Sequence, residues 1–464
     1  MSSPIVTVIM PTYNYGRFIT AAINSVLAQT FTAWELIIID DGSTDDTAAV
    51  VQQFTDPRIH YIYQENKGLP GARNTGIRQA RGQFIAPLDS DDLFAPTKLE
   101  KQLAFMQANP DVGLAYNGRC TFNHDQHNLI LTAAPPHATL TDLVNYYPFT
   151  PSDIFLRRQW GQKVNWYDES FVRNSEDLNF HIRLALAGCT FAGLPEPLVY
   201  RQVHKNRTFS QLDKKLDTAL RALNTAFDHP NCPPDLLALK NKAHSHHYFS
   251  FAFLAAIQNE TERAQQWWAT AAKLGTNPVA TAANPLSPFV FMSIQGDSDH
   301  ETRLQNIATA LPQPVSDVDL RQAIDRGYFL RGVLHFLWDR PTLGHHCWQA
   351  ASPAPLTNHD INALTEQFHL HDQYNRKENL NNQLQTMLRA APQYQLSAQF
   401  TTIWARYHIN KAFNYYQTKQ YRAVPSSIIQ ACRHDTTYLK NRGVWSIFLR
   451  SLMHKLFNLK VLHV

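Results

Sequence analysis

The run Phe84-Ile85-Ala86-Pro87-Leu88 has the apolar continuity of a buried strand and stops abruptly at Asp89-Ser90-Asp91-Asp92. A strand buried on both faces belongs to a sheet covered by helices, and in an open α/β sheet ligands bind beyond the carboxyl ends of the strands. Three carboxylates at such an end offer hard oxygen donors. Mg²⁺ and Mn²⁺ prefer these, and are usually held by one or two carboxylates with substrate phosphates completing the shell. The same residues also read as an acidic turn before a helix that begins near Pro96, because Asp is common in turns and at helix N-caps. The flanking segments decide between the two readings.

Taken in order, residues 5–10 form a buried strand closed by Pro11-Thr12-Tyr13-Asn14. Apolar residues then recur at helical spacing through Phe18, Ile19, Ala22, Ile23, Val26 and Leu27. Residues 35–40 are a second buried strand, ending at Asp40-Asp41-Gly42-Ser43-Thr44-Asp45, which suits both a turn and a helix cap. A helix over 46–54, a strand over 59–63 and a helix over 72–80 lead to the central strand. Strands alternating with helices at this pace predict βαβ units and a mostly parallel sheet. The loop Gln64 to Gly76 sets glycines and Arg73 ahead of a helix, where backbone and guanidinium could approach an anion. It is no P-loop, since no Gly-Lys-Ser/Thr follows, and it lacks the dinucleotide fingerprint Gly-x-Gly-x-x-Gly.

At 464 residues the chain is long enough for two or three domains, and its 44% hydrophobic share marks it as globular. A formal charge of +4 gives no case for nucleic acid. Five cysteines (Cys120, Cys189, Cys232, Cys347, Cys432), without a Cys-x-x-Cys pair, fit reduced thiols in a cytoplasm and neither a disulfide framework nor a zinc site. The start Met1-Ser2-Ser3-Pro4 has no charged leader, and no apolar run reaches the length of a membrane span.

Met10-Pro11-Thr12-Tyr13-Asn14, the Asp40 to Asp45 turn, Ala72-Arg73-Asn74 and Leu88-Asp89-Ser90-Asp91-Asp92 occur in order. Together they resemble the inverting glycosyltransferases of family 2, which have the GT-A fold. The resemblance implies a nucleoside diphosphate-sugar donor, with a UDP-sugar favoured, contacted through Pro11, Tyr13, Asp41, Arg73, Asp89 and Ser90. It implies a divalent cation, Mn²⁺ or Mg²⁺, on Asp89 and Asp91. Displacement at an anomeric carbon needs a base within reach of the acceptor hydroxyl. Glu176-Asp177 opens a helix whose apolar stripe is Leu178, Ile182, Ala185 and Leu186, and the dipole at that end favours an ionised carboxylate. From the residues alone, Ser175 to Asp177 reads first as a cap of the helix. The resemblance gives Asp177 the role of base and leaves Glu176 to orient the acceptor or its loop. Family members close the catalytic domain on a Tyr-Arg-x-x-His run, matched here by Tyr200-Arg201-Gln202-Val203-His204, so His204 becomes a candidate ligand of the metal or diphosphate. The expected activity is hexosyl transfer in surface glycan or polysaccharide synthesis, onto a glycan or lipid-linked acceptor. A sugar-phosphate nucleotidyltransferase is the alternative enzyme, although its Gly-rich loop after the first strand is missing. A catalytically inactive helical-repeat scaffold is the other alternative.

Between Asn117 and Pro148 the sequence is least informative. Asn123 to His127 reads as a solvated hairpin, and Tyr146, Tyr147, Phe149, Thr150, Ser152 and Trp166 could line an acceptor site or belong to the core. Beyond Ser210 strand signals give way to helical periodicity. The expected division is a GT-A catalytic domain over 1–210 and an α-helical domain over 211–464. Three stretches of the latter, from Tyr248, Tyr328 and Tyr407, each read as a helix, a polar turn and a second helix, resembling tetratricopeptide hairpins; an irregular bundle fits equally. In the last helix Trp445, Phe448, Leu449, Leu452, Met453 and Leu456 share a stripe with basic residues elsewhere. Such a helix could lie on an anionic membrane or dock as the closing helix, so the expected place of work is the cytoplasm, with peripheral membrane or protein contact through this region. Because every motif with a chemical role precedes Arg207, a chain ended near residue 210 is expected to keep nucleotide and metal binding.

Overall fold

The computed structural model describes residues 3–123, 130–146, 149–172, 174–203, 211–275, 284–294, 299–338, 340–352, 354, 356–374, 380–417, 419–421 and 423–457. The chain begins β1 (Val6–Thr12), α1 (Gly16–Leu27), β2 (Trp34–Asp40), α2 (Thr47–Val51), β3 (Ile59–Tyr63), α3 (Gly68–Gln79) and β4 (Phe84–Pro87). β1 pairs in parallel with β2 and β4, and β2 with β3. Next come β5 (Leu93–Phe94), α4 (Lys98–Ala108), β6 (Leu114–Asn123), β7 (Ile130–Thr132), β8 (His137–Ala138) and α5 (Leu140–Tyr146). β9 (Ile154–Arg157), α6 (Arg158–Lys163), α7 (Glu176–Leu186), β10 (Phe191–Val203) and α8 (Leu212–Phe227) follow. The strands form one sheet in the order β3-β2-β1-β4-β9-β6-β10-β5, with β7 beside β6 and β8 beside β10. β9 runs antiparallel between β4 and β6, so the sheet is parallel at its nucleus and mixed beyond it. This is the α/β arrangement that the alternating pattern predicts, GT-A-like as the resemblance implies, followed by helices.

Period-two alternation sorts the strand residues onto two cores. Val6, Val8, Met10, Leu36 and Ile38 pack with Ile19, Ile23 and Val26 of α1 and Leu99, Leu103 and Met106 of α4. Ile9, Ile37 and Ile39 face the other way, onto Ala72 and Ile77 of α3 and the core that holds Leu178, Phe180 and Ile182 of α7. Two-sided burial explains why β1 and β2 are continuously apolar. Three boundaries differ from the sequence reading. β1 runs on through Pro11 and Thr12; pairing with β4 ends at Ile9, so the N–H that Pro11 lacks is not needed there. α3 starts at Gly68, with Pro70 in its first turn, where the missing N–H is an orphan in any case. α2 is a short Thr47–Val51 segment within the expected 46–54.

The chain separates into two compact units. The first comprises Met1–His127, Leu131–Pro278 and Thr309–Pro314; the second comprises Asn128–Ile130, Val279–Ala308 and Val315–Val464. The point near residue 210 where strand sequence ends therefore lies inside the first unit. There α8 packs Ala222, Leu223, Ala226 and Phe227 into the same core as α7. Asn179 Nδ2 donates to Thr225 Oγ1 at 2.9 Å, and the Arg221 guanidinium stacks over Phe171 at 3.8 Å. α8 thus braces the helix that begins with Glu176-Asp177.

The three expected hairpins are present as Lys240–Ile257 with Thr261–Leu274, Asp317–Leu337 with Pro341–Ala350, and Ser397–Gln417 with Val424–His434. In the second, a Cβ on Gly332 would lie 2.2 Å from the Trp348 indole and one on Gly344 2.5 Å from the Phe336 ring, so both glycines permit close helix packing. The closing helix Arg442–Phe457 differs from expectation. Its packed edge is Val444, Ile447 and Ser451, with Phe448 beside them, at the i, i+3, i+4, i+7 spacing of one helix face. Trp445 and Leu449 of the expected stripe are 41% and 54% exposed. All five cysteines are free thiols. Among the described residues no helix is long and apolar enough to cross a membrane.

Candidate active site

The parallel order β2-β1-β4 brings three loops to one edge of the sheet. After β1, Asn14 takes a left-handed φ of 56°. Its N–H donates to Ser43 Oγ at 2.9 Å, and its Oδ1 accepts from Thr44 N at 2.7 Å. Asp45 Oδ2 in turn accepts from Gly16 N at 3.1 Å, so the loops after β1 and β2 are latched together. Gly42, at φ +86°, allows the turn to pass Asn66. The adjacent aspartates are employed differently. Asp40 is fully buried and accepts from Ser43 N and Tyr61 Oη, holding the turn. Asp41 accepts from Gln64 Nε2 and Lys67 N through Oδ1 alone, which leaves Oδ2 for a ligand. Tyr13 is 48% exposed beside this latch, whereas Pro11 is buried within the sheet.

The acidic stretch after β4 divides in the same way. Asp92 is buried, accepting from Ser152 Oγ at 2.7 Å and from Gln202 N at 3.2 Å. Burial first, then Asp91 and Asp89, push its carboxyl well above the ordinary range. Ser152 also receives Asp89 N at 3.1 Å, so it organises the acidic turn and does not line an open site. Asp89 keeps 30% of its side chain exposed, Asp91 is half-buried, and Ser90 is buried.

Arg73, in α3, joins this turn to α7. Its side chain is 1% exposed; Nη2 reaches Asp89 Oδ1 at 2.8 Å and Nη1 reaches Glu176 Oε1 at 2.5 Å. Burial opposes its charge, but Asp89 and Glu176 more than offset that and hold the guanidinium protonated. Burial, followed by repulsion from Asp177, raises Glu176 to about 7 despite Arg73. The Tyr167 ring lies 5.3 Å from the guanidinium, and its buried Oη has no hydrogen-bond partner among the described residues. Sequence reasoning missed Tyr167 as a neighbour of this bridge, and nothing local to it signals that contact. Ser175 precedes α7 at φ 65° without making a side-chain cap, and it is Asp177 Oδ1 that accepts a first-turn backbone N–H, that of Leu178, at 2.8 Å. Asp177 is half-buried beside Glu176.

Several expected residues serve the framework. Phe149 is fully buried against Tyr116, His181 and Phe191; Thr150 caps the turn through Asp153; Trp166 stacks on Phe180. His204, Tyr147 and residues 124–127 lie outside the described residues.

The residues expected to hold a divalent cation are Asp89 and Asp91. Asp89 Oδ1 is engaged by Arg73, and Asp91 is half-buried in the same turn. Among the described residues no group of three or more His, Cys, Asp or Glu forms a metal cage. Two carboxylates fit a cation that completes its shell with diphosphate oxygens and water.

A family model described as Glycosyl transferase family 2 matches residues 7–162. The chain is 34% identical over 208 residues to the putative teichuronic acid biosynthesis glycosyltransferase TuaG of Bacillus subtilis, spanning 44% of this chain and 81% of that protein. It is 47% identical over 110 residues to the Escherichia coli UDP-Glc:alpha-D-GlcNAc-diphosphoundecaprenol beta-1,3-glucosyltransferase WfgD, covering 24% of this chain and 44% of that relative. Among solved structures, Staphylococcus aureus TarS 1–349 with UDP aligns over 76% of this chain and 94% of its own, at 18% identity and a TM-score of 0.42. The Pyrobaculum calidifontis mannosyltransferase PcManGT with GDP-Man and Mn²⁺ aligns over 67% and 88%, at 18% identity and a TM-score of 0.45.

Proposed function

Because this chain belongs to glycosyl transferase family 2, we propose that its site moves a hexosyl group from a nucleoside diphosphate-sugar, a UDP-sugar by preference, to an acceptor hydroxyl with inversion at the anomeric carbon. The single observation that carries this reading is the buried Arg73 bridge, which ties the acidic turn at Asp89 to the Glu176-Asp177 pair at the start of α7. One proposed cation ligand, Asp89, and Glu176, the chain neighbour of the proposed base, then stand at opposite ends of one guanidinium. Asp41 and Tyr13, on the latched loops, take the nucleoside end of the donor. Asp89 and Asp91 would hold Mn²⁺ or Mg²⁺, which would stabilise the negative charge developing on the leaving diphosphate. Asp177 accepts the acceptor hydroxyl's proton as oxygen bonds to carbon and the diphosphate departs. Glu176, pinned by Arg73, positions its neighbour.

The acceptor is a surface-polysaccharide intermediate carried on a glycan or lipid, in keeping with the names of TuaG and WfgD. The enzyme works in the cytoplasm, at the inner face of the membrane. Residues 1–210 carry the chemistry, and the helical hairpins of 211–464 form a tetratricopeptide-like support for acceptor or partner. The test is Asp177→Asn, which preserves shape and removes the base. Donor affinity should persist while transfer falls by about two to four powers of ten. Transfer near the wild-type rate would refute the assignment.

A further inference from the structure

The exposed apolar residues of the last two long helices lie together. Trp445 and Leu449 sit one turn apart on Arg442–Phe457, 41% and 54% exposed, and Ile429 of Val424–His434 is 46% exposed. Ile429 and Trp445 line one apolar groove of about 290 Å³, with Ile428, Val444 and Phe448 beneath. Arg433 lines the same groove, and Lys440 and Arg450 of this segment are exposed as well. Neither helix contains an acidic residue. The sole carboxylate of residues 424–464, Asp435, is engaged with Thr437 N and Oγ1 at the start of the connecting turn. Against it stand Arg433, Lys440, Arg442, Arg450, Lys455 and Lys460, so this terminal segment alone exceeds the formal charge of the entire chain, +4.

We propose that this face of the second unit is a docking surface for an anionic lipid bilayer, with Trp445, Leu449 and Ile429 entering the headgroup boundary and Arg433, Lys440 and Arg450 meeting lipid phosphates. It deepens the proposed lipid-linked acceptor by naming where the enzyme meets the membrane, and rests on that reading for its purpose alone. The chemistry favours lipid over a protein partner. A tryptophan and two aliphatic side chains with Arg433 beside them, in a segment with a surplus of cations, match an interface that is apolar below and uniformly anionic above. A protein groove would present discrete carboxylates, and nothing here orders the basic residues toward a discrete pattern.

The experiment is co-sedimentation of the full chain with phosphatidylglycerol/phosphatidylethanolamine vesicles and with phosphatidylcholine vesicles, at low and high salt and without donor. Nucleoside diphosphate binding is measured on the same preparations, so failure of the catalytic reading and failure of this one are separable. Pelleting with the anionic vesicles, weakened by salt, is expected. The double variant Trp445→Ser/Leu449→Ser should lose it. Arg433→Glu/Arg450→Glu should reduce partitioning at least about tenfold, since each basic residue near an anionic surface is worth about fivefold. Nucleotide binding should be unchanged in both, as neither pair belongs to the catalytic site. No pelleting at low salt, which a protein-docking face would give, overturns the proposal. So does equal pelleting of wild type and both variants.

Discussion

Arg73→Met leaves two carboxylates that the guanidinium now neutralises, one of them buried. Glu176 retains 6% exposure and Arg73 1%, so the pair lies in the class where removing one partner costs about 3–5 kcal/mol. The loss should depend on pH. Glu176 in the folded chain is raised to about 7, above its ordinary 4.5, and loss of Arg73 raises it further. The folded state then binds more protons than the unfolded state above pH 4.5, so its stability falls as pH rises through the raised value. The deficit of Arg73→Met should accordingly be larger at about pH 7.5 than at about pH 5.5. Glu176→Gln removes the titrating group. The double variant Arg73→Met/Glu176→Gln should regain about 1–3 kcal/mol of what Arg73→Met loses. Urea denaturation of the four proteins at both pH values supplies the cycle. Strictly additive costs with no pH dependence would refute the bridge as an energetic unit.

Three further outcomes are expected. A chain ending at residue 278 should fold and bind nucleotide, whereas one ending at 210 should not. The shorter chain loses buried Leu212, Leu216, Leu223 and Phe227, about 6–12 kcal/mol at about 1.5–3 each, which rivals a domain's whole stability; a soluble, cooperatively melting shorter chain would contradict this. Lys98 is fully buried beside Gln102 and Asn117, and burial lowers its amine to about 7 although Asp153 opposes the shift. The unfolded chain therefore binds the extra proton from about pH 7 to about pH 10, and stability contributed at this site should climb across that window and vanish in Lys98→Met, as melting temperatures against pH would reveal. Parallel curves for the two proteins would exclude it. Asp91→Asn should abolish Mn²⁺-dependent binding of nucleoside diphosphate without lowering the melting temperature; unchanged affinity in calorimetry would move the metal elsewhere.

The fold was legible because its signal is local. β1 and β2 are buried on both faces, and α1 repeats its apolar residues with the period of one helix face. The turn motifs were legible as places, but the division of labour inside them was not. Asp40 and Asp41 are chemically identical neighbours, and partners that include Tyr61 and Gln64, strands and loops away, decide which one holds the turn. Asp92 is likewise spoken for by Ser152, a residue read as acceptor lining or core. Arg73 and Glu176 are 103 positions apart, beyond any periodicity argument. The expected boundary near 210 follows strand signals, whereas the core continues into α8. In the closing helix the apolar stripe is wider than the face that packs, and tertiary contact selected Val444 and Ile447 over Trp445.

The latch between the loops after β1 and β2 bears on how a ligand is received. Asn14, Ser43, Thr44, Asp45 and Gly16 fix each other's backbone before anything binds. The conformational entropy of ordering these segments is spent once, when the chain folds, and is not demanded again at each encounter with donor. Nucleoside binding at that end should consequently resemble insertion into a rigid seat, with a small heat of rearrangement and an association rate governed by diffusion and charge. Breaking the latch would leave every contact atom in the sequence and still weaken the seat, because each turnover would have to rebuild it.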